Sequence, residues 1–501
     1  MSATIWSLLP PIVAIALALI TKEVYLSLLV GILTGSLLFT NFHVLTAVET
    51  TVEIMGMKIG DNVNILIFLV LLGILVALIT KSGASKAYGE WATARIKGER
   101  GALLATTALG MLIFVDDYFN CLTVGTVMRP VTDKYKISRA KLAYIIDATA
   151  APVCIIAPIS SWAAAVGSSL PENSGIDGFS LFLRTIPFNL YALLTIVFML
   201  FIIIRKFDFA AMKRYNEKVL AEGEETTVGS DELPIMGRGK VKDLILPIVV
   251  LVVLCISAML YTGGILEGAD VVTAFANCNS SLSLVLGSFF ALVFTFVLYL
   301  GRKILTFEAF CESFVQGFRS MTPPIMILCL AWTLSGVCSA DYMNIGGYVG
   351  DLVAGSSLVG ILLPCLFFLI ATGLAFSTGT SWGTFGILIP IALAIMGTGD
   401  VSSLSVTVAA ILAGAVCGDH ISPISDTTIL ASAGAQCNHI NHVSTQIPYA
   451  LLVAACCFAG YLTAGIAGNG WAGLVVGLIC LAVILGVITV NERNDGDTKS
   501  S

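Results

Sequence analysis

Five aspartates occur in stretches of the sequence that are otherwise apolar enough to lie inside a lipid bilayer. These stretches contain no lysine or arginine, and the aspartates are Asp116, Asp117, Asp147, Asp419 and Asp426. An ionisable side chain in the membrane interior costs about 3 kcal/mol or more and usually has a function there. Because no basic residue neutralises these acids, we expect them to bind and release a mobile cation, H⁺ or Na⁺. The residues therefore predict a cation-coupled secondary transporter.

The densest group of polar residues is the segment 418–428, with the sequence GDHISPISDTT. Pro423 lacks an N–H group and clashes with the preceding turn, so a helix should break here. Carbonyl groups freed by the break need protein partners or a bound ion inside a membrane. The start of the next half-helix favours an anion, whereas the carbonyls and carboxylates before it suit Na⁺. The candidates are Asp419, Asp426 and Thr427 for Na⁺, and Ser422 and Ser425 for a substrate.

A similar interruption occurs in the first half of the sequence. Asp147 is followed by Pro152, and Pro158 is followed by Ser160 and Ser161. We expect Asp147 to face the same central cavity as the second-half aspartates and to bind Na⁺, with the two serines near a substrate. The alternative in both halves is a proline-broken helix, in which the aspartate caps a helix end and the hydroxyls bond to their own backbone.

Two further segments are predicted to form the tips of hairpins that enter the membrane and return on the same side. In the first tip, Asp116 and Asp117 are adjacent carboxylates that do not both ionise easily in a low dielectric, which suits an exchange of H⁺ for Na⁺. Asp117 and Asn120 are therefore further Na⁺ candidates. The alternative is a turn at the membrane rim.

The second tip has the sequence FSTGTSWGT at 376–384. Its hydroxyls and carbonyls are hard oxygen ligands, and glycine lets backbone groups approach a ligand closely. The alternative is a tight loop or small-residue packing between helices. The candidate substrate ligands here are Thr378, Gly379, Thr380 and Ser381.

Composition is typical of a polytopic membrane protein. Mean hydropathy is +0.95, hydrophobic residues make up 57% and charged residues 12%, against about 25% charged residues in soluble proteins. The net charge of −6 argues against nucleic-acid binding. The 13 cysteines show no metal-site spacing and are expected to pack in apolar surroundings. No resident cofactor is predicted, since Na⁺ and H⁺ would be the cargo.

The two halves of the sequence share weak similarities in the same order. Residues 8–13, LLPPIV, are similar to residues 244–249, LILPIV. Further along, PISS at 158–161 recurs as PISD at 423–426. Each match is weak alone, but their common order indicates an internal repeat.

The basic residues of the loops relate the two repeats to the membrane. Loops 81–100 and 129–141 each contain five lysines or arginines, whereas their counterparts 340–356 and 396–404 contain none. Basic loops stay on the cytoplasmic side. The repeats are therefore predicted to be inserted upside down relative to each other, as in many secondary transporters.

These loop assignments predict eleven spans and two hairpins, with the N-terminus outside and the C-terminus cytoplasmic. The segment 43–61 is predicted to connect the spans on either side of it. The fold class is an all-α polytopic membrane protein with two inverted-topology repeats, re-entrant hairpins and broken helices. His439 and His442 fall in a predicted solvated loop, and Trp162 and Trp382 are predicted as packing residues or cavity walls. The predicted domains are a first inverted repeat at 1–205, a cytoplasmic linker at 206–242, a second inverted repeat at 243–466, and an extra C-terminal helix and tail at 467–501.

The segment 418–428, together with 376–384 and the Asp116-Asp117-Tyr118 motif, resembles the NhaC family of sodium–proton antiporters. The resemblance covers nearly the whole chain. It implies the ion-transporter superfamily, with a scaffold domain, a mobile transport domain with two hairpins, homodimers and elevator-type movement. It also implies a bacterial plasma (inner) membrane protein whose partners are membrane lipid, Na⁺ and H⁺.

Three functions remain open at this point. The first is Na⁺/H⁺ antiport, in which both ions compete for the central carboxylates. The second is Na⁺- or H⁺-coupled transport or exchange of a small organic acid or amino acid, since the family includes members similar to malate–lactate exchangers and amino-acid carriers. The third is an intramembrane enzyme such as an aspartyl protease using Asp147 and Asp419, which would need neither an inverted repeat nor hydroxyl-rich hairpins. We therefore expect a transporter and no enzyme.

Overall fold

Helices joined by short turns make up the regular structure of this chain. The computed structural model describes residues 2–21, 23–114, 117–158, 160, 162, 165–166, 178–222, 235–345, 347–348, 351, 359–396 and 400–499. Within those ranges every regular element is an α-helix or a short 3-10 helix. The all-α class predicted from the sequence is confirmed.

The helices that precede the predicted linker include the two that flank the first helix break. They are α1 (Leu9–Thr21), α2 (Val24–Phe39), α3 (Val44–Asp61), α4 (Val63–Lys81), α5 (Ala84–Arg95), α6 (Gly98–Leu112), α7 (Asp117–Lys134), α8 (Arg139–Thr149), α9 (Ala151–Cys154), α10 (Gly178–Thr185) and α11 (Leu190–Arg205).

The helices that follow include the long elements of the second half. They are α12 (Ala210–Glu222), α13 (Val241–Thr262), α14 (Val271–Ala276), α15 (Ser280–Gly301), α16 (Phe307–Cys338), α17 (Val359–Thr378), α18 (Ser381–Met396), α19 (Val401–Ile421), α20 (Asp426–Ala435), α21 (His439–Ala467) and α22 (Gly470–Lys499). Short 3-10 helices lie at Ile5–Leu8, Ile186–Phe188 and Ile265–Glu267.

Several of these helices match the thickness of a bilayer. In the described residues, seven helices are long and apolar enough to cross a membrane, or up to eight if the bent pair Tyr25–Phe39 and Val44–Asp61 forms one span. A hydrocarbon core of about 30 Å needs roughly 20 such residues. The chain is therefore a multi-pass membrane protein. By length and hydropathy the described residues show fewer spans than the eleven predicted.

Two helices lie at the centre of the bundle, and they carry the central acids. The apolar window of α19 is 83% buried inside the protein, whereas that of the C-terminal α22 is only 22% buried. All residues of α8 from Ala140 to Thr149 are also buried. A helix that is buried all round has protein rather than lipid on every side. Asp147 on α8 and Asp419 on α19 therefore face protein neighbours.

Helices α7 and α20 cross at a pair of glycines. A Cβ atom added to Gly125 would lie 2.3 Å from the backbone carbon of Gly434, closer than side chains permit. Small residues at such crossings let helix backbones approach closely inside a membrane. This contact brings the start of α7 next to the second helix break.

The structure describes three segments that the sequence predicted as irregular, and it contradicts one of those predictions, the solvated loop at His439 and His442. The segment 43–61, predicted as a connection, is largely α3, which bends 119° from the preceding helix. His439 and His442 do not form a loop but begin α21, and His442 is fully buried. The predicted linker 206–242 contains the helix α12, with residues 223–234 lying outside the described residues.

Candidate functional site

The second helix break has the form that Pro423 predicts. Helix α19 ends at Ile421 and α20 begins at Asp426. Ser425 caps α20, because its hydroxyl accepts the backbone N–H of Thr428 at 3.4 Å. An N-cap of this kind satisfies a helix donor that would otherwise lack a partner. The freed backbone ends of both half-helices therefore lie inside the protein.

Asp419 lies one turn before this break and is fully buried. Its Oδ2 accepts hydrogen bonds from the hydroxyls of Ser381 and Thr427, the latter at 3.2 Å. Its Oδ1 has no hydrogen-bond partner among the described residues. A buried carboxylate held by neutral donors keeps acceptor capacity for a cation or a proton.

Asp426 is the first residue of α20 and is 5% exposed. Its carboxylate accepts a hydrogen bond from the phenol of Tyr118, at the start of α7, and from the backbone N–H of Thr427 at 2.8 Å. Its own N–H donates to the carbonyl of Gly379 at 3.3 Å. Both predicted hairpin tips therefore contact the second break.

The second predicted tip lies between α17 and α18, and only part of it reaches the aspartates. Gly379 adopts a left-handed backbone conformation with φ of +71° and turns the chain. Ser381 contacts Asp419, as described above. The hydroxyl of Thr378 donates to the Leu374 carbonyl at 2.9 Å in its own helix. The Thr380 hydroxyl accepts the N–H of Gly383 at 3.3 Å, so both threonines serve local backbone.

Ser422 also bonds to backbone, but to a distant part of the sequence, because its hydroxyl donates to the Phe376 carbonyl at 2.8 Å. This bond joins the break to the C-terminal turn of α17. The serine therefore holds the break and the second tip together.

Asp147 is fully buried and has a different set of partners. Its Oδ2 accepts the side-chain amide of Gln446 at 2.6 Å and the hydroxyl of Thr428 at 3.3 Å. The Nε2 atom of His442 lies 3.4 Å from Oδ2, and that of His420 lies 3.8 Å from Oδ1. This aspartate is thus surrounded by an amide, a hydroxyl and two imidazoles, whereas the described side-chain partners of Asp419 are hydroxyls. The Oδ1 atom of each acid lacks a hydrogen-bond partner among the described residues.

Consecutive residues at the second helix break contact Asp419 and Asp147 in turn. Asp419 and Thr427 face each other, whereas the next residues, His420 and Thr428, face Asp147. The Thr428 hydroxyl also lies 3.1 Å from the carbonyl of Asp419, so its one proton is shared between that carbonyl and the Asp147 carboxylate. A change at one carboxylate therefore acts on the same short backbone segments that hold the other.

Two candidates from the first hairpin are buried near the start of α7. Asp117 is 1% exposed, and its Oδ1 accepts the N–H of Tyr118 at 3.2 Å. Asn120 donates its amide to the carbonyls of Gly110 and Ile113, both at 2.7 Å, and to that of Thr149 at 3.2 Å. Asn120 thereby ties the end of α6 to the end of α8. Asp116 lies outside the described residues.

Ser160 donates to the Cys154 carbonyl at 2.7 Å and so closes the end of α9. Its neighbour Ser161, also predicted to line the substrate site, lies outside the described residues. Ser160 is buried, but its hydroxyl is used by local backbone.

Sequence reasoning missed Gln446, His442 and Tyr118 as neighbours of the acids. Gln446 and His442 are four residues apart, which places them on one helix face. The two residues share a helix only because α21 begins at His439. A helix that began at 446 would leave His442 in the preceding loop. Tyr118 adjoins the predicted Asp116-Asp117 pair, but its role as a donor to Asp426 depends on the α7–α20 crossing.

The oxygen-rich set around Asp419 and Asp426 suits an alkali cation. Carboxylates, hydroxyls and carbonyls are the donors that hard cations prefer. Among the described residues, no three His, Cys, Asp or Glu side chains form a group that could hold a metal ion.

Comparison with known proteins agrees with this geometry. A sequence model of the Na⁺/H⁺ antiporter family matches residues 153–466. An uncharacterised protein of Haemophilus influenzae (strain ATCC 51907 / DSM 11121 / KW20 / Rd) is 40% identical over 504 residues, covering 97% of this chain and 95% of that protein.

Two antiporters match shorter stretches. The malate-2H(+)/Na(+)-lactate antiporter of Bacillus subtilis (strain 168) is 29% identical over 187 residues, which are 33% of this chain and 38% of that protein. The arginine/ornithine antiporter ArcD of Halobacterium salinarum (strain ATCC 700922 / JCM 11081 / NRC-1) is 37% identical over 109 residues, 21% of this chain and 22% of that protein. The resemblance to NhaC is confirmed, and the chain belongs to the Na⁺/H⁺ antiporter family, a family of membrane transporters and not an enzyme class.

Proposed function

We propose that this protein exchanges Na⁺ for H⁺ across its membrane and that both ions use the carboxylates of Asp419 and Asp426. The observation that carries the proposal is the setting of these two acids. They lie on either side of a helix break, and their partners among the described residues are hydroxyls and backbone N–H groups. No described lysine or arginine forms an ion pair with either acid.

This setting makes binding of a cation and of a proton alternatives. Na⁺ would be held by the two carboxylates with the hydroxyl oxygens of Ser381 and Thr427. H⁺ would neutralise a carboxylate directly. In both states the bound ion balances one negative charge inside the membrane, which lowers the cost of moving the site because an unpaired buried charge is costly.

Proteoliposomes test the proposal. We expect Asp426→Asn and Asp419→Asn each to abolish Na⁺-driven pH jumps, while the protein still elutes as a folded species. Asp61→Asn is the matched control, because Asp61 is an exposed acid that pairs with Lys58 at 3.5 Å. Normal pH jumps in either site variant would refute the assignment of that residue.

A second candidate function is coupled exchange of a small organic acid or amino acid. Its support is that two relatives are named as a malate/lactate and an arginine/ornithine antiporter. Uptake of such solutes, measured with and without a Na⁺ gradient, separates the two functions. A pure cation antiporter should respond to cations alone.

The domain plan remains part of the proposal. In the first half, a break before α7 is followed by the break between α8 and α9. In the second half, the turn between α17 and α18 is followed by the break between α19 and α20. This parallel order supports two inverted repeats at 1–205 and 243–466, joined by the linker 206–242 and followed by 467–501.

On this plan the hairpins and broken helices would form a mobile transport domain that moves like an elevator against a scaffold. We further propose a homodimer in the bacterial inner membrane, with the N-terminus outside and the C-terminus cytoplasmic. Labelling of cysteines introduced at Asp61 and Lys303 tests the orientation. On the inverted plan, an impermeant reagent added outside labels the first and not the second.

A further inference from the structure

Two tryptophans form an aromatic cluster next to the proposed ion site. The rings of Trp162 and Trp382 lie 6.1 Å apart at 69°, and Phe385 packs against both, at 5.5 Å and 6.3 Å between ring centroids. Trp382 directly follows Ser381, which donates to Asp419. Trp162 is completely buried. The cluster therefore joins the first-half break region to the second hairpin tip.

Both indole N–H groups are buried without a hydrogen-bond partner among the described residues. Buried tryptophans normally give this donor a partner, because an unpaired donor has lost its bond to water. An edge-to-face pair allows one indole to point at the ring of the other, but that contact is weaker than a bond to oxygen. It also satisfies only one of the two donors, so at least one indole N–H lacks an acceptor among the described residues.

The charge of the surrounding sequence limits what this acceptor could be. No lysine or arginine occurs between Lys141 and Arg184, or between Arg319 and Arg493. A solute carboxylate that binds here therefore meets no lysine or arginine from these segments, and it has to use histidines or neutral donors. The two indole N–H groups are neutral donors of that kind, and within the described part of the chain neither has a hydrogen-bond partner.

We propose that Trp162 and Trp382 form a binding subsite for a small carboxylic acid, whose carboxylate accepts hydrogen bonds from the two indole N–H groups. A Na⁺ ion at the adjacent Asp419 and Asp426 would offset the repulsion between those acids and the solute. The solute should then bind only after Na⁺. This inference goes beyond Na⁺/H⁺ exchange and rests on the proposed function for the position of the ion.

Thermal unfolding of the purified protein tests the subsite, since a ligand that binds the folded state raises the midpoint. The probes are L-lactate, L-malate, L-arginine and L-ornithine, each in NaCl and in choline chloride, with lactamide as the uncharged counterpart of lactate. We expect at least one acid to raise the midpoint in NaCl, a much smaller rise in choline chloride, and no effect of lactamide.

The variants Trp162→Phe and Trp382→Phe keep an aromatic ring and remove the N–H group. We expect each to weaken the apparent affinity for the acid by roughly tenfold or more, as for the loss of a hydrogen bond to a charged group. Trp471→Phe is the matched control, because Trp471 is 56% exposed on α22 and should leave the affinity unchanged. If Trp162→Phe does not fold, the comparison of Trp382→Phe with the control decides.

Two outcomes would overturn the subsite: no acid shifts the midpoint, or Trp382→Phe binds the acid as tightly as the parent. The Na⁺-driven pH jump, measured on the same preparations, reports separately on the ion site. A parent protein with normal pH jumps and no response to acids loses the subsite but keeps the antiport function. A parent with neither response loses both.

Discussion

The side-chain amide of Gln446 lies 2.6 Å from Oδ2 of Asp147 and, at 2.9 Å, also contacts the carbonyl of His420. Both side chains are fully buried. One amide group thus joins α21 to α8 and to the end of α19, the three helices that surround the Asp147 carboxylate. An amide donor and two nearby imidazoles distinguish Asp147 from Asp419 and Asp426, whose described partners are hydroxyls and a backbone N–H group.

Gln446→Ala tests how much that contact contributes to the stability of the protein. Removal of the amide leaves a buried carboxylate and a buried carbonyl with fewer donors, so we expect the free energy of unfolding to fall by about 1–3 kcal/mol. Thermal or denaturant unfolding in detergent measures it, with Ser444→Ala on the same helix as the exposed control. A cycle with Asp147→Asn should show coupling between the two sites, and additive effects would contradict the shared role.

Thr427→Val tests the hydroxyl ligands of the proposed ion site. Valine keeps the shape of threonine but removes the oxygen that lies 3.2 Å from Asp419. We expect the apparent Na⁺ affinity in the pH-jump assay to fall roughly tenfold or more, because hydrogen bonds to charged groups are stronger than neutral ones.

Thr378→Val is the matched control for this change. The Thr378 hydroxyl donates only to its own helix, at the carbonyl of Leu374. Its loss should leave the Na⁺ affinity within about twofold, since an intrahelical bond from threonine contributes little to helix stability. Equal losses in both variants would mean that Thr427 acts through general packing and not through Asp419.

The helix break was predictable because it depends on local chemistry. Pro423 cannot continue a helix, and the acids and hydroxyls within a few residues of it had to lie near the freed backbone ends. The second tip was predictable for a similar reason, since glycine at position 379 permits the turn that a left-handed φ requires. Residues close in sequence to such a signal were assigned to the site without knowledge of the tertiary structure.

The partners of Asp147 were not predictable in the same way. Asn438 to Thr445 is a polar run that looks like a loop, yet the Asn438 side chain accepts the N–H of Asn441 at 3.1 Å and begins α21. The side chain of His442 in this first turn is then buried against Asp147 of α8. The sequence shows that apolar periodicity is lost in this run. It does not show which polar side chains a distant helix will bury, because their burial depends on tertiary packing.

Gly379→Ala should be far more damaging than its helical neighbour Gly373→Ala. At Gly379 the backbone has a φ of +71°, and an added Cβ would lie 2.4 Å from the carbonyl oxygen of Ile424. The left-handed conformation alone costs about 1–2 kcal/mol for a residue with a side chain. We expect a lower unfolding midpoint and loss of Na⁺-driven pH jumps, because Gly379 also accepts the N–H of Asp426.

The control Gly373→Ala lies in α17, where an added Cβ would meet no atom of the described residues within 4 Å. Alanine should stabilise this helix by about 0.5–1 kcal/mol and leave transport intact. An unaltered pH jump in Gly379→Ala would show that the second tip tolerates movement and does not position Asp426.

A buried ion pair near one end of α8 provides the last prediction. Lys141 is 2% exposed, and its Nζ lies 2.6 Å from both carboxylate oxygens of Asp208, which also accept hydrogen bonds from Tyr449 and Asn216. Removal of one partner leaves an uncompensated buried charge, so Asp208→Asn should destabilise the protein by roughly 3–5 kcal/mol.

The matched comparison is the exposed pair Lys58–Asp61, whose side chains are 30% and 58% exposed. Asp61→Asn should change stability by less than about 1 kcal/mol, because solvent screens such pairs. The double variant Lys141→Met/Asp208→Asn should recover part of the stability lost in Asp208→Asn, since it removes the buried charge that lacked a partner. A double variant that is less stable than Asp208→Asn would contradict this explanation. It would mean that the Lys141 ammonium group has an acceptor other than Asp208.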